Sequence, residues 1–324
     1  MRGTKVNQLT SYALRSLLAA LPAVVISCHT LSSDSDAPRA FASPQAAGDA
    51  LAQALKTDDR SDLTAILGQG AESLLSSGDP VDDQAQRERF EAAYELKHAW
   101  THWNKGGAVL EIGKDAWPFP IPLVEGSRGW HFDLQQGADE ILDRRVGRNE
   151  LYTIQACLAF VDAEREYFER NPRGIARPEY ARYILSREGE KDGLYWKTSE
   201  GEAPSPLGPI YAAARSQGYS PTRGGGKPFH GYMYRVLHAQ GASAPGGAYD
   251  YIQDGEMTGG FGLLAWPAKY DASGVMTFLV NHIGVVYEKD LGPQTEEIVT
   301  TLTVFNPDDT WDLVSESARV LPES

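Results

Sequence analysis

Apolar positions recur with a helical period through the first hundred residues of the chain's body. Ser43-Pro44 offers an N-cap followed by proline in the first turn, and Ala47, Ala50, Leu51, Ala54 and Leu55 repeat behind it at 3–4 spacing. The spacing predicts a second helix over 61–67, stopped by Gly68. A longer charged helix is predicted over 82–100, with Phe90, Ala93 and Tyr94 facing inward. The period then changes. Residues 108–112, 121–124 and 130–133 are short apolar runs separated by turn residues, and read as strands.

The second half opens on the strongest helical signal of the chain. Over 149–170, Leu151, Ile154, Leu158, Val161 and Phe168 form one apolar face, ended by Pro172 and Gly174. A short helix is predicted at 178–185. Residues 186–228 are rich in Gly, Pro and Ser, interrupted by a helix at 210–216, and so long a loop region is often functional. Residues 230–240 alternate, with Tyr232, Tyr234 and Val236 against Met233, Arg235 and Leu237. Three more strands are predicted over 260–266, 275–281 and 285–288, the last two joined by a tight turn at Ile283-Gly284, and a closing helix over 295–305. The fold class is α+β. Residues 41–136 form an N-terminal domain similar to NTF2/cystatin-like folds, with helices followed by an antiparallel sheet. Residues 137–314 form a C-terminal domain in which a long helix packs on an antiparallel, pilin-like sheet, and 315–324 is a tail.

The extreme N-terminus breaks these patterns. Arg2, Lys5 and Arg15 precede an almost wholly apolar run at 16–26, and Ser27-Cys28 closes it, so 1–27 reads as a signal peptide. The run is too short to span a bilayer, which needs about 20 residues. Val25-Ile26-Ser27-Cys28 resembles the bacterial lipobox, making Cys28 a candidate lipidation site and 28–40 an anchor with a flexible polar tether. The alternative is an ordinary signal peptide with Cys28 near the cut. Either way the expected location is outside the cytoplasm, for the lipoprotein on a membrane facing the periplasm or cell exterior. The formal net charge of −14 disfavours nucleic acid and anionic lipid surfaces as partners, so attachment to a lipid bilayer would come through acylated Cys28. The only other cysteine, Cys157, lies in the apolar helical pattern and reads as an inert packed thiol.

Catalytic motifs are sparse. His98 and His102 have a metal-ligand spacing on a helix, but Ala99 stands where a zinc-protease glutamate would be, and no metal or cofactor is expected. Gly224-Gly225-Gly226-Lys227 imitates a phosphate loop, yet Pro221 and Pro228 occupy the positions that such a loop needs as Gly and Ser or Thr. Gly-x-Ser-x-Gly is absent, and Ser205 lies in a proline-flanked loop. Acidic pairs such as Asp82-Asp83 and Glu296-Glu297 read as solvated faces. Aromatic residues in or beside Gly/Pro-rich loops are the better candidates: Trp117, Tyr195, Trp196, His230, Tyr232 and Tyr249 as a ligand-binding set, with Tyr219, Phe229 and Tyr251 nearby in sequence. The alternative for these rings is that they staple long loops onto the core.

Several phrases occur together in order. They are Gly113-Lys114-Asp115-Ala116-Trp117-Pro118-Phe119-Pro120, Arg148-Asn149-Glu150-Leu151, Asp192-Gly193-Leu194-Tyr195-Trp196, Phe229-His230-Gly231-Tyr232 and Pro245-Gly246-Gly247-Ala248-Tyr249-Asp250-Tyr251. Through them the chain resembles the DUF2950 family of bacterial exported proteins of unknown function, from about residue 41 to 311. The resemblance implies an envelope protein and supplies no site residues. One departure is the turn Asn171-Pro172-Arg173-Gly174, which lacks the oxygen ligands of a calcium loop. The expected role is a non-catalytic binding or assembly module with an envelope protein or cell-wall glycan as partner. The rivals are an envelope hydrolase acting on wall glycan or peptide, and a pilin-like structural subunit.

Overall fold

Ser43 caps the first helix as its position predicts. Its Oγ accepts from the Ala46 N–H at 3.2 Å, Pro44 takes the first turn, and α1 runs Pro44–Thr57. The structure, a computed structural model, describes residues 37–103, 106–220 and 226–315. The signal peptide, Cys28, the tether up to residue 36, Gly224-Gly225 and the tail from residue 316 lie outside the described residues.

Asp59 caps α2 (Arg60–Leu67), α3 (Glu72–Leu75) is a single turn, and Asp79 caps α4 (Pro80–Leu96). α4 stops short of the expected residue 100, because His98–Trp103 form a strand, β1. Strand pairing overrides the helical period there: β1 lies antiparallel to β2 (Gly107–Ile112), with Trp100 opposite Leu110. The short β3 (Trp117–Pro118) also pairs β2, and β4 (Leu123–Gly126) and β5 (Gly129–Phe132) complete the sheet. Leu51, Leu63 and Ile66 of the helices bury against Leu110, Leu123 and Phe132 of the sheet, forming a first core.

α5 (Ala138–Arg170) is 33 residues long and begins eleven residues before the expected start. Its first turns carry Ala138, Ile141 and Leu142 against the first core, while Ile154, Cys157, Phe160 and Val161 belong to a second. Two different faces are thus buried along one helix, so no single apolar stripe marks its whole length. Cys157 is fully buried, and burial pushes its thiol up to about 12, which makes it unreactive in the folded chain.

Beyond α5, the helix expected at 178–185 is absent. Tyr183–Leu185 form β6, parallel to β7 (Gly193–Tyr195), with the Arg182 N–H donating to the Asp192 carbonyl and Ser186 N–H to Tyr195. α6 (Gly208–Ser216) follows as predicted, then β8 (Tyr232–Leu237), β9 (Ala239–Gln240) and β10 (Tyr249–Asp250). The small hairpin of β11 (Ile252–Gln253) and β12 (Glu256–Met257) precedes β13 (Gly262–Pro267), β14 (Met276–Asn281) and β15 (Val286–Asp290). α7 (Thr295–Thr301) ends before residue 305, because Phe305 exchanges main-chain bonds with Ala239 and Gly241 and is buried. β16 (Asp312–Leu313) closes the second five-stranded sheet, whose antiparallel order is β16-β15-β14-β13-β8.

That sheet is covered on both faces. Leu263, Phe278 and Val280 pack toward α5 in the second core, while Leu237, Leu264 and Leu279 pack with Val299 of α7 and Phe305 in a third. The architecture is α+β. Polar pins join the first core to the rest. Arg145 of α5, itself buried, donates to the carbonyls of Ser73 (3.0 Å), Leu74 and Ala272 (3.4 Å). Among the described residues no helix is long and apolar enough to cross a membrane.

Candidate functional site

A cavity of about 890 Å³ lies where α5, α6 and β8 meet. Each wall follows from the local period. Tyr152, Gln155, Ala156, Ala159 and Phe160 lie at i, i+3, i+4, i+7 and i+8, one helical face of α5. Leu207, Ile210, Tyr211 and Ala214 supply the α6 wall, and Tyr234 and Val236, two apart on β8, the sheet wall. β6 closes one end, and the segments 78–81 and 226–230 the other. The space exists because α5 presents alanines. Ala156 and Ala159 each precede a buried residue, Cys157 and Phe160, yet are themselves only half-buried, since they face the cavity instead of a packed side chain.

The wall at 229–232 is set by a tight turn. Phe229 and Tyr232 exchange both main-chain hydrogen bonds (2.8 and 3.2 Å), and the central residues His230 (φ 49°) and Gly231 (φ 77°) have the positive φ of a primed hairpin turn. Position 231 must be glycine, because a Cβ there would meet the Asn149 Nδ2 at 2.4 Å. The His230 ring stacks on Tyr152 with centroids 4.7 Å apart and contacts Phe229 at 4.4 Å. Burial depresses its pKa, opposed by the Asp82 and Asp79 charges, so the imidazole is neutral at pH 7.

Asp79 anchors this end. Its Oδ1 accepts from the N–H groups of Val81 (3.1 Å) and Asp82 (3.3 Å), and Oδ2 from the Tyr219 hydroxyl and the Gly231 N–H, both at 2.9 Å. Its acceptor positions are therefore filled by donors. It is the only acid among the described residues that line the cavity. Close by, Arg148 faces Asp82 at 3.5 Å, and the Glu150 Oε1 accepts from Val275 and Met276 N–H groups. The phrases 148–151 and 229–232, distant in sequence, meet here.

The six residues expected to bind ligand do not form one site. His230 lines the cavity. Tyr232 is fully buried, its hydroxyl donating to the Met276 carbonyl, and serves as a staple. Tyr195 and Trp196 line a separate cavity of about 380 Å³, although Tyr195 stacks on Tyr211 at 4.2 Å and so backs the larger one. Tyr249 lies beside His282 (3.4 Å), and Trp117 sits on the first sheet under the Arg144 guanidinium, 40% exposed. Other rings that line the cavity are Tyr152 and Phe160 of α5, Tyr211 of α6, Tyr183 of β6 and Tyr234 of β8, with Tyr219 and Phe229 from loops. Tyr152 falls outside the apolar face read from the helical period, and nothing in the sequence shows what it meets.

His98 and His102 lie on β1, not on a helix. His98 stacks on Tyr94 (4.0 Å), and His102 meets the edge of Trp130 (5.9 Å). Four strand residues span about 13 Å, too far to share an ion. Among the described residues no group of three or more His, Cys, Asp or Glu is placed to hold a metal.

No curated protein and no solved structure matches the chain. One family model does, that of a protein of unknown function, DUF2950, over residues 38–314. With most of its length matched, the chain belongs to the DUF2950 family.

Proposed function

We propose that this protein is an exported, membrane-anchored lipoprotein whose body binds a ligand through the apolar cavity between α5, α6 and β8. The observation that carries the reading is the cavity itself. Its volume of about 890 Å³ lies in the range of ligand pockets, which is about 300–1,000 Å³, and its lining is mainly aliphatic and aromatic. The acylated Cys28 would tether this body to the bilayer while the ligand or partner is engaged outside it.

One observation favours the rival hydrolase: His230, neutral and half-enclosed, stands at the cavity wall near Asp79. Two carboxyl groups across a cleft are what glycoside hydrolysis needs, and here the lining acid Asp79 already accepts from four donors. Binding is the better-supported use.

Ala159→Phe fills the cavity from α5 and tests the reading. N-phenyl-1-naphthylamine, a neutral apolar fluorophore, is titrated into the full chain carrying Cys28→Ala, which needs no detergent. Saturable binding is expected, weakened at least tenfold, about 1.4 kcal/mol or more, by Ala159→Phe with the melting temperature little changed. Equal binding by a folded variant would overturn the cavity reading. In cells, Cys28→Ala is expected to shift the protein from the membrane to the released fraction; unchanged fractionation would remove the anchor.

A further inference from the structure

β8 is the outer strand of its sheet, and among the described residues its free edge is covered everywhere except at the cavity. In an antiparallel pair, alternate residues exchange both hydrogen bonds with the neighbour and the others turn theirs outward. The register assigns these roles on β8. Tyr232 lies opposite Pro267, which has no N–H, and bonds to Phe229 instead, while Gly231 accepts from Ala268. Met233, Arg235 and Leu237 therefore bond β13, and Tyr234 and Val236 turn their N–H and C=O groups outward. At one end the Tyr232 groups are taken by Phe229, and at the other the His238 carbonyl accepts from the Tyr251 N–H at 2.8 Å. Between these covers, and among the described residues, the groups of Tyr234 and Val236 belong to a strand whose only strand partner is β13, and they point away from it.

Those groups face the cavity. Tyr234 and Val236 line it, and so does Arg235, whose guanidinium lies on the opposite face of the sheet, bonded to the carbonyls of Val299 and Leu302 (2.8 Å). Arg235 can meet the cavity only with its main chain. Resting on the reading of the cavity as a ligand site, we infer that its ligand is an extended peptide segment of a partner protein, added to β8 as a sixth strand.

The chemistry of that segment follows from the walls. Main-chain groups of Tyr234 and Val236 hold its backbone, as in other cases of strand addition. Alternate side chains point toward Ala156 and Ala159, where the missing bulk of α5 leaves room for valine or leucine. Lys227, exposed at the end near the start of β8, has no acidic partner among the described residues and favours an acidic residue at that end of the segment. An uncovered strand edge is otherwise a liability that proteins block; placing it in a recess restricts access to a segment that fits.

The test uses the full chain carrying Cys28→Ala and an acetylated hexapeptide amide of alternating valine and leucine ending in aspartate. Two isomers are N-methylated at alternate residues, one on each edge of the extended peptide. Strand addition predicts that one isomer binds like the parent and the other loses at least tenfold in affinity, because only one edge faces β8. Bound peptide is expected to slow amide exchange at Tyr234 and Val236, and Lys227→Glu to weaken the peptide at least threefold. If both isomers bind alike, or exchange at these two amides is unchanged, strand addition is overturned. Naphthylamine binding without peptide binding would overturn this inference and leave the cavity reading standing; loss of both would remove both.

Discussion

Replacing Asp79 by alanine is expected to destabilise the protein by about 3–7 kcal/mol. Losing the N-cap of α4 costs about 1 kcal/mol, and each buried donor left without an acceptor about 1–3 kcal/mol. Two such donors exist, the Tyr219 hydroxyl and the Gly231 N–H, and Asp79 is fully buried with them. Against a total stability of about 5–15 kcal/mol the loss is a large fraction. The donors lie 140 and 152 residues further along the chain, so the carboxylate ties the start of α4 to the wall of the cavity. Denaturant unfolding measures it. Tyr219→Phe removes one donor together with its demand, and is expected to cost only about 1 kcal/mol. A shift under 1 kcal/mol for Asp79→Ala would show that water replaces the carboxylate and that these segments are held by other contacts.

Glu164→Gln is expected to raise the melting temperature, by an amount that grows with pH. Glu164 is fully buried on α5; the Ala181 N–H donates to its Oε2 at 2.8 Å, while its Oε1 is buried with no hydrogen-bond partner among the described residues. Burial pushes the carboxyl well above the ordinary value of 4.5, the Ala181 bond opposing only in part. Below pH 4.5 the folded and unfolded chains both hold the proton, and the group's contribution to stability is complete. As pH rises, the unfolded chain releases its proton first, so stability falls until the folded carboxyl also ionises. Glutamine matches the protonated shape and removes that slope. Each kcal/mol corresponds to roughly 2–4 °C in a chain of this size. Melting curves of both proteins from pH 4 to 9 decide it: parallel curves would mean that Glu164 does not titrate differently on folding.

Local signals located much of the fold. Ser43-Pro44 and Gly68 bound their helices because caps act through neighbouring main-chain groups, Pro172 and Gly174 lie just past the end of α5, and the alternation over 230–240 marked β8 because side-chain direction follows the strand period. Where partners across the chain decide, local reading failed. His98–Trp103 look helical beside α4 but pair with β2, and Tyr183–Leu185 become a strand because β7 offers them main-chain partners. The first three turns of α5 were missed since Arg144, Arg145 and Arg148 interrupt the apolar period, and Arg145 is buried only because three carbonyls from elsewhere receive it.

The candidate site shows the same division. Membership in the DUF2950 family and the α+β class were legible in ordered phrases and in periodicity, which are properties of contiguous residues. Of six aromatic residues read as ligand-binding, one lines the large cavity, because loop context says that a ring is near the surface and not which other rings it meets. Ala156 and Ala159 gave no signal: an alanine on a helix face is ordinary until the facing wall is known to leave space. The sequence alone determined where helices and strands could form and which family the chain joins. Only the tertiary structure decided that α5, α6 and β8 enclose a cavity against an open strand edge, because a cavity consists of what distant residues fail to fill.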